Sequence, residues 1–216
     1  MSLRILVVDD HAVVRRGVRS LLESHEGWEV CGEATTGRDA VEQSRHLRPD
    51  VVVMDLSLPE LNGLDATRQI LKDRPSIEVL VLTMHHSEEL ARDVLQAGAR
   101  GYVMKSDADE SLITAVDSLR QHKPFLTSTV TEFVLDEYVR RGGGPQDDLA
   151  PAGVTARERE IIQLVAEGQS NKEAASTLGI SVKTIEAHRA NIMRKLHLRS
   201  VSDLVRYAIR NNIAQP

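Results

Sequence analysis

The sequence has a single cysteine and no long hydrophobic run. Because Cys31 stands alone, neither a disulfide within the chain nor a cysteine-cluster metal site can form. Cys31 lies in the apolar stretch WEVCGEA, and we expect it to be buried as a small hydrophobic side chain. No stretch of about 18 apolar residues occurs, and the start MSLRILVVDDH lacks the pattern of a secretory signal. We therefore expect a cytoplasmic protein without a membrane span.

Acidic residues outnumber basic ones, and the two signs are unevenly distributed. The 216 residues include 27 Lys and Arg against 32 Asp and Glu, a net charge of -5. From Val154 onward there are 10 basic and 6 acidic residues, a net charge of +4, which leaves -9 for residues 1–153. The length exceeds the roughly 150 residues expected of one domain, so we predict two domains. The basic C-terminal part favours a polyanionic partner, although a solvated charged surface fits the same numbers.

Short apolar runs alternate with longer helical patterns over the first 122 residues. This alternation predicts an α/β fold, a doubly wound five-stranded parallel sheet with helices on both faces. The predicted strands are Ile5–Asp9, Trp28–Ala34 at a sheet edge, Val51–Asp55, Val79–Thr83 and Gly101–Lys105. The predicted helices are Ala12–Ser24, Gly37–Leu47, Leu64–Asp73, Ser87–Ala97 and Asp109–His122.

Residues 123–153 are predicted to form a linker, with a helix over 127–141 followed by the flexible segment RRGGGPQDDLAPAG. An all-α domain is predicted to follow over residues 154–216. Capping signals precede three of its helices, as in the pair Thr155 and Glu158. The four predicted helices are Ala156–Glu167, Asn171–Leu178, Val182–Leu196 and Val201–Asn211.

Polar side chains stand where four of the apolar strands end. Asp9 and Asp10 follow the first, Asp55 ends the third, Thr83 the fourth and Lys105 the fifth. Singly, each residue has an ordinary structural explanation as a cap, a turn residue or an exposed side chain. The carboxyl ends of parallel strands share one edge, however, and ligand sites form there. A cluster of carboxylates at that edge favours Mg²⁺.

A carboxylate held beside a divalent cation and a lysine can attack a phosphoryl donor. We assign the nucleophile to Asp55, the fixed cation to Lys105 and a hydroxyl donor to Thr83. The motifs LVVDDH, VVVMDLSLPELNGLD, VLVLTMHH and GYVMKSDA resemble those of bacterial response-regulator receivers, which have a flavodoxin-like fold. The resemblance covers residues 3–122 and predicts a receiver domain over residues 1–122. It implies that a sensor histidine kinase phosphorylates Asp55.

The receiver resemblance also implies roles for other residues. Mg²⁺ would be bound by Asp10, Asp55 and the Ser57 backbone carbonyl, and by Asp9 through water. Thr83 and Tyr102 would switch conformation. Catalysis would be limited to Mg-dependent self-phosphorylation and dephosphorylation of Asp55, so the protein is not expected to be an enzyme. The sequence departs from the common receiver pattern at three positions, Leu58, Asn62 and Met84. Access of water to the phosphoryl group would be lined by Ser57, Met84 and His85.

The segment SNKEAASTLGISVKTIEAHRANIMRKL predicts two helices joined at Gly179. Small residues before the glycine, Ala174 and Ala175, would allow a close crossing against Ile185. The second predicted helix carries Ile185, Ile192 and Leu196 on one side. Its other side has polar and small residues, a combination suited to the DNA major groove.

The stretch TAREREIIQLVAEGQSNKEAASTLGISVKTIEAHRANIMRKLHLRS resembles the four-helix LuxR-type domain of NarL/FixJ-class response regulators. The resemblance implies that base-facing residues are Glu186, Ala187 and Ala190. It implies that phosphates are held mostly by Lys172, Ser181, Lys183, Thr184 and Arg189. The last helix would form a two-fold dimer contact through Val205 and Ile209. Expected partners are a sensor histidine kinase, double-stranded promoter DNA and a second copy of the chain, with RNA polymerase a further candidate.

Two alternatives belong to other functional classes. A haloacid-dehalogenase-like phosphatase also uses an aspartate nucleophile, but Asp55-Leu56-Ser57 lacks the second aspartate of that motif. A receiver that acts only through protein contacts would leave the basic helix-turn-helix segment unexplained. For the favoured function, phosphorylation of Asp55 would draw Thr83 and Tyr102 inward and reshape the surface around 87–97. Both release of the DNA-binding domain and induced dimerisation then fit a flexible linker.

Overall fold

A computed structural model describes residues 2–84, 87–127, 130–131 and 154–214. These residues form two compact units, one containing every described strand and the other the last four described helices. The strands are β1 (Leu3–Val8), β2 (Trp28–Ala34), β3 (Val51–Asp55), β4 (Glu78–Thr83), β5 (Gly101–Met104) and β6 (Phe125–Leu126). The helices of the first unit are α1 (Ala12–Glu23), α2 (Gly37–Leu47), α3 (Gly63–Asp73), α4 (Glu88–Gln96) and α5 (Ala108–Arg120). Those of the second unit are α6 (Ala156–Ala166), α7 (Asn171–Leu178), α8 (Val182–Lys195) and α9 (Val201–Arg210).

The strands form one parallel sheet in the order β2-β1-β3-β4-β5-β6. The doubly wound α/β fold and the edge position of β2 are therefore confirmed. The prediction of five strands was wrong by one, because β6 adds a sixth in which Phe125 and Leu126 pair with Gly101 and Tyr102. Two residues are too few to show a hydrophobic period, and only their pairing with β5 makes them a strand. The predicted helix over 127–141 lies almost entirely outside the described residues.

The strand register aligns the carboxyl ends of the central strands at one edge of the sheet. Val8 is paired with Met54, Asp55 with Leu82 and Thr83 with Met104. The four central strands therefore end at nearly the same level. Residues of β1, β3 and β4 are almost completely buried, because helices cover both faces of a parallel sheet. Burial of each such Val, Ile or Leu side chain contributes about 1.5–3 kcal/mol, which makes the sheet a rigid support for the residues at its edge.

Cys31 is only partly buried, so the expectation of a fully buried side chain was wrong. It lies on the edge strand β2, where the register with β1 shifts between Ile5 and Leu6. An edge strand has a neighbour on one side only, which leaves part of the residue accessible. The thiol donates to the Ile5 carbonyl at 3.3 Å, and burial raises its pKa above the ordinary value.

The second unit is a small helical domain with well-formed helix starts. The Thr155 hydroxyl accepts from Glu158 N–H while the Glu158 carboxylate accepts from Thr155 N–H, and the same reciprocal box begins α7 and α9. Gly179 ends α7 with φ of 64°, a conformation that glycine adopts without steric cost. Residues from all four helices form one apolar core, including Ile161, Ala174 and Ile185. No helix in the described part of the chain is long and apolar enough to cross a membrane.

Candidate functional site

Asp55 lies at the centre of the sheet edge, at the last position of β3 between β1 and β4. Its side chain is only 2% exposed. Oδ1 accepts a hydrogen bond from Leu56 N–H at 2.8 Å, and Oδ2 accepts one from Lys105 Nζ at 2.8 Å. Lys105 Nζ also lies 2.7 Å from Asp9 Oδ2. One lysine thus pairs with two buried carboxylates that come from different strand ends.

The charges in this site perturb one another. Burial raises the pKa of Asp55 above its ordinary value, the negative charge of Asp9 raises it further, and the bond from Lys105 only partly offsets both. For Lys105, burial lowers the pKa, but the bonds to Asp55 and Asp9 outweigh burial and the pKa is raised. The lysine is therefore cationic at neutral pH. Lys105 alone does not balance the negative charge of the Asp9 and Asp55 carboxylates, and a divalent cation would supply the missing positive charge.

Four residues at this edge form a group that could hold a metal ion. Asp9, Asp10, His11 and Asp55 each offer one ligand atom, and these atoms lie within 4.8 Å of one another. His11 Nδ1 lies 2.7 Å from Asp10 Oδ1 and 3.4 Å from Asp9 Oδ1. Three carboxylates suit a hard dication such as Mg²⁺, so the donor set fits the predicted ion. Sequence reasoning found the carboxylates but did not include His11.

The predicted switch residues are both buried. Thr83 ends β4 and is 1% exposed, and Tyr102 in β5 is completely buried. Burial raises the pKa of Tyr102 to about 12. The Ser57 backbone acts to lower the pKa of Asp55, which places Ser57 beside the nucleophile. Of the residues expected to line water access, Met84 is 67% exposed, and His85 lies outside the described residues.

Gly63 is a positioning residue that sequence reasoning missed. A Cβ atom there would lie 2.0 Å from the carbonyl oxygen of Asp55. The Gly63 N–H donates to the Leu56 carbonyl at 3.0 Å, so this close approach is built into the loop that follows β3. The glycine in the motif PELNGLD was the available signal, but a glycine before a helix is common for other reasons.

The DNA-reading surface predicted on the second helix of the turn corresponds to α8. Ile185 and Ile192 are buried in the core, as predicted. The expected base-facing residues all point into solvent: Glu186, Ala187 and Ala190 are exposed. Exposed alanines beside exposed polar side chains leave room for a DNA backbone or base edge to approach.

The expected phosphate-binding residues fall into two groups. Lys172 and Lys183 are exposed in the first turns of α7 and α8. The other three take part in local bonds. The Ser181 hydroxyl caps α8 by accepting from Thr184 N–H and lies 2.8 Å from the Thr184 hydroxyl, while the half-buried Arg189 donates to the Asn171 side chain. These hydrogen bonds hold the three side chains in place near the turn between α7 and α8.

Helix α9 carries the predicted dimer residues. Leu204 and Ala208 are buried in the core of the second unit. Val205 and Ile209 are half-buried, and Val201, one turn before Val205, is 48% exposed. The helix therefore presents an apolar strip that its own domain covers only in part.

Comparisons with known proteins identify both units. Residues 5–117 match the response regulator receiver domain family, and residues 152–208 match the luxR family of bacterial regulatory proteins. The chain is a two-component response regulator of the LuxR family. It is 38% identical to the oxygen regulatory protein NreC of Staphylococcus carnosus (strain TM300), over 98% of this chain and 99% of that protein. The helix-turn-helix unit is thus a LuxR-type DNA-binding domain.

Solved structures agree with this membership. A LuxR-family two-component response regulator from Aurantimonas sp. SI85-9A1 has 35% identity and a TM-score of 0.60, over 64% of this chain and 99% of that chain. A structure of two RcsB dimers bound to two parallel DNAs has 27% identity and a TM-score of 0.59, over 98% of this chain and 99% of that chain. Family membership decides against the phosphatase alternative, and the LuxR-type domain decides against a receiver that acts only through protein contacts.

Proposed function

We propose that Asp55 is the phosphorylated residue of this response regulator and that a sensor histidine kinase is the donor. One Asp55 oxygen attacks the phosphorus of a phosphohistidine, the phosphorus–nitrogen bond breaks, and the imidazole leaves with a proton. The observation that carries the proposal is the paired Lys105 ammonium, 2.8 Å from Asp55 Oδ2 and buried with it. This fixed cation is positioned to stabilise charge on the transferred phosphoryl group.

The metal in this proposal is Mg²⁺, held by Asp10, Asp55 and the Ser57 carbonyl, with Asp9 acting through water. Support comes from the closeness of the carboxylates and from the raised pKa of Asp55. When bound, the ion would supply positive charge to the phosphoryl oxygens. Asp9 keeps a second role in the proposal, because its pairing with Lys105 orients the ammonium towards Asp55.

The acyl phosphate would be sensed by Thr83, whose hydroxyl donates to a phosphoryl oxygen, and by Tyr102 in the adjacent strand. Support comes from their positions, since Thr83 is paired with Met104 in β5, the strand that also contains Tyr102. The segment 87–97 would then change its surface and the pairing of receivers. In this proposal residues 1–122 form the receiver and residues 154–216 the DNA-binding domain, joined by residues 123–153.

Promoter DNA would be read by α8, with bases facing Glu186, Ala187 and Ala190. Phosphates would meet Lys172 and Lys183 together with the N-terminal N–H groups of α8 behind Ser181. Phosphate contacts would be added by Thr184 in the first turn of α8 and by Arg189, whose side chain lies beside Asn171 at the start of α7. The apolar strip of Val205 and Ile209 would join two copies on paired half-sites, as the DNA-bound dimers of RcsB suggest by analogy. RNA polymerase is a further proposed partner of the bound dimer.

The decisive test is labelling with radioactive acetyl phosphate in Mg²⁺. The wild-type chain is expected to take up one phosphoryl group, and Asp55→Asn none. Asp109→Asn is the matched control, because Asp109 is an exposed aspartate on α5. Retained label on the Asp55→Asn protein would contradict the assignment. Selection of bound genomic fragments with and without acetyl phosphate then tests whether phosphorylation controls promoter binding.

A further inference from the structure

Helix α8 turns a defined set of side chains away from the core of its domain. Ile185 and Ile192 are buried, and an α-helix turns by about 100° per residue. The side of the helix opposite these two isoleucines is therefore fixed by the packing. The six residues on that side are all exposed and form the outer face of α8: Lys183, Glu186, Ala187, Ala190, Asn191 and Arg194.

The middle of the outer face is small and apolar. Ala187 and Ala190 lie in one line along the helix, between Lys183 and Arg194, because neighbours in this line are three or four residues apart. Side chains of a single carbon allow a base pair to approach the helix closely. Among the base edges in the major groove, the complementary feature for an alanine methyl group is the C5 methyl group of thymine.

Glu186 lies beside the alanines and is the one acidic residue of the outer face. Within the part of the chain that the structure describes, its carboxylate makes no hydrogen bond or ion pair. In a DNA groove the phosphates repel such a carboxylate, so its presence is unfavourable unless a base donates a hydrogen bond to it. The chemistry of Glu186 therefore restricts which bases can lie opposite it.

Two bases present hydrogen-bond donors in the major groove, cytosine through N4 and adenine through N6. Adenine has the N7 acceptor next to its donor, so one carboxylate oxygen of Glu186 would face a lone pair. Cytosine has no acceptor on its own edge there and is the better partner. Cβ atoms four residues apart on a helix are separated by about 5–6 Å, and base pairs by about 3.4 Å. Glu186 and Ala190 thus reach base pairs no more than about two steps apart.

The arginines near the outer face are engaged in other bonds. The half-buried Arg189 donates to the Asn171 side chain, and Arg194 donates to Asn191 Oδ1 at 2.9 Å. Each arginine would have to release its partner before it could bind O6 and N7 of guanine. Base selection therefore falls to Glu186 and the two alanines.

We propose that Glu186 selects cytosine and that Ala187 and Ala190 select a thymine within about two base-pair steps of it. The preferred half-site then contains a C·G pair whose N4 group donates to the Glu186 carboxylate. It also contains a T·A pair whose methyl group packs on the alanines. The inference rests on the proposed function, because it takes α8 as the DNA-reading helix, and it adds the bases that this helix prefers.

The experiment selects binding sites from random duplex DNA with the full-length chain, with and without acetyl phosphate in Mg²⁺. Wild type is compared with Glu186→Gln, because glutamine keeps the length and helix propensity of glutamate but adds the amide donor that pairs with adenine. Glu42→Gln is the matched control, since it removes the same charge from an exposed residue of α2. Circular dichroism spectra equal to that of wild type establish that each variant is folded.

Wild type and Glu42→Gln should select the same half-site, and Glu186→Gln should select adenine in place of cytosine at one position. Replacing that C·G pair by T·A should weaken wild-type binding by about tenfold or more, because the O4 acceptor of thymine then faces the carboxylate. Replacing the selected thymine by uracil deletes only a methyl group and should weaken binding about fourfold. The same replacement outside the half-site is the control. Ala187→Gly or Ala190→Gly should abolish the uracil effect.

An unchanged base preference in Glu186→Gln, or a wild-type half-site without cytosine, would overturn the inference for Glu186. A uracil replacement without effect, or an effect that both glycine variants retain, would overturn it for the alanines. Failure of the wild-type chain to select any common half-site, with or without acetyl phosphate, would instead contradict the proposed reading of DNA by α8. The wild-type selection thus separates failure of the inference from failure of the proposed function.

Discussion

Gly63 lies against the backbone of Asp55 so closely that a Cβ atom at Gly63 would meet the Asp55 carbonyl oxygen at 2.0 Å. The first residue of α3 therefore sets how closely the chain returns to the end of β3. Backbone atoms cannot move aside as a flexible side chain can, so a substitution must shift the loop that carries the nucleophile.

Gly63→Ala is expected to destabilise the first unit by about 2 kcal/mol or more, because the methyl group displaces the backbone at Asp55. Gly17→Ala is the matched control. Gly17 lies within α1, where a methyl group would meet nothing within 4 Å beyond the backbone of its own helix, so alanine should stabilise by about 0.5–1 kcal/mol. Urea unfolding followed by fluorescence of Trp28, the sole tryptophan, reports on this unit. Equal stabilities of the two variants would contradict the expectation.

Lys105→Met should be strongly destabilising at neutral pH, by about 3–5 kcal/mol, because two buried carboxylates lose their cation. The control Lys123→Met removes an exposed lysine and should change stability by less than about 0.5 kcal/mol. Adding Asp55→Asn to Lys105→Met should recover much of the loss, since one buried charge is removed with its partner. The measurement is a double-mutant cycle by urea unfolding in a chelator. Strict additivity of the two changes would count against the ion pair.

Glu158 should make the second unit sensitive to acid. Desolvation raises the pKa of Glu158, but bonds from Lys195 and Thr155 outweigh it and hold the pKa below its ordinary value of 4.5. A lowered folded-state pKa stabilises the fold above about pH 4.5, and this stabilisation disappears as the pH falls through the folded value. Glu158→Gln should therefore lower the free energy of unfolding by about 1 kcal/mol near neutral pH and change it very little in strong acid.

Glu173→Gln tests the role of the lysine in that acid sensitivity. Glu173 occupies the same position in the capping box of α7, and its pKa is lowered by bonds to Ser170. No ion pair to Glu173 is found among the described residues. Glu173→Gln should lower the free energy of unfolding by less than Glu158→Gln does. The measurement follows the amide resonances of α6 and α7 during unfolding in urea. A larger loss for Glu173→Gln would show that Lys195 is unimportant.

Lys183→Ala should weaken DNA binding for all sequences alike and lower the slope of log affinity against log salt by about one. The physical reason is that an exposed lysine at the start of α8 would neutralise one phosphate. Lys72→Ala removes an exposed lysine from α3 and should leave the slope unchanged. Binding isotherms over a salt series provide the measurement. A Lys183→Ala protein with unchanged slope but altered sequence preference would place this lysine on a base.

Val205→Asp should weaken binding to paired half-sites by about tenfold or more and leave binding to a single half-site nearly unchanged, because a charge would be buried in the proposed two-fold contact. Arg210→Gln changes the net charge by the same amount on the same helix, outside the apolar strip, and is the control. Gel shifts at low protein concentration compare Val205→Asp with Arg210→Gln on the paired and the single half-site. Equal losses on both probes would indicate a folding defect or a charge effect on DNA instead.

The sequence alone determined much of this protein. Apolar periods located five of the six described strands and the nine helices named above, because the period of a strand or helix is a local property of the chain. The capping pairs of α6, α7 and α9 were likewise readable, since both partners lie three residues apart. The polar residues at strand ends indicated a phosphoryl site because the edge rule for parallel sheets converts sequence position into spatial position.

Only the tertiary structure decided the features that depend on distant neighbours. The strand β6 exists through its pairing with β5, and the partial exposure of Cys31 follows from the place of β2 at the edge. The pairing of Lys105 with both Asp9 and Asp55, and the contact of Gly63 with the Asp55 backbone, are likewise set by the tertiary structure. No local pattern encodes such distances, because they arise when strands far apart in the chain align at one edge.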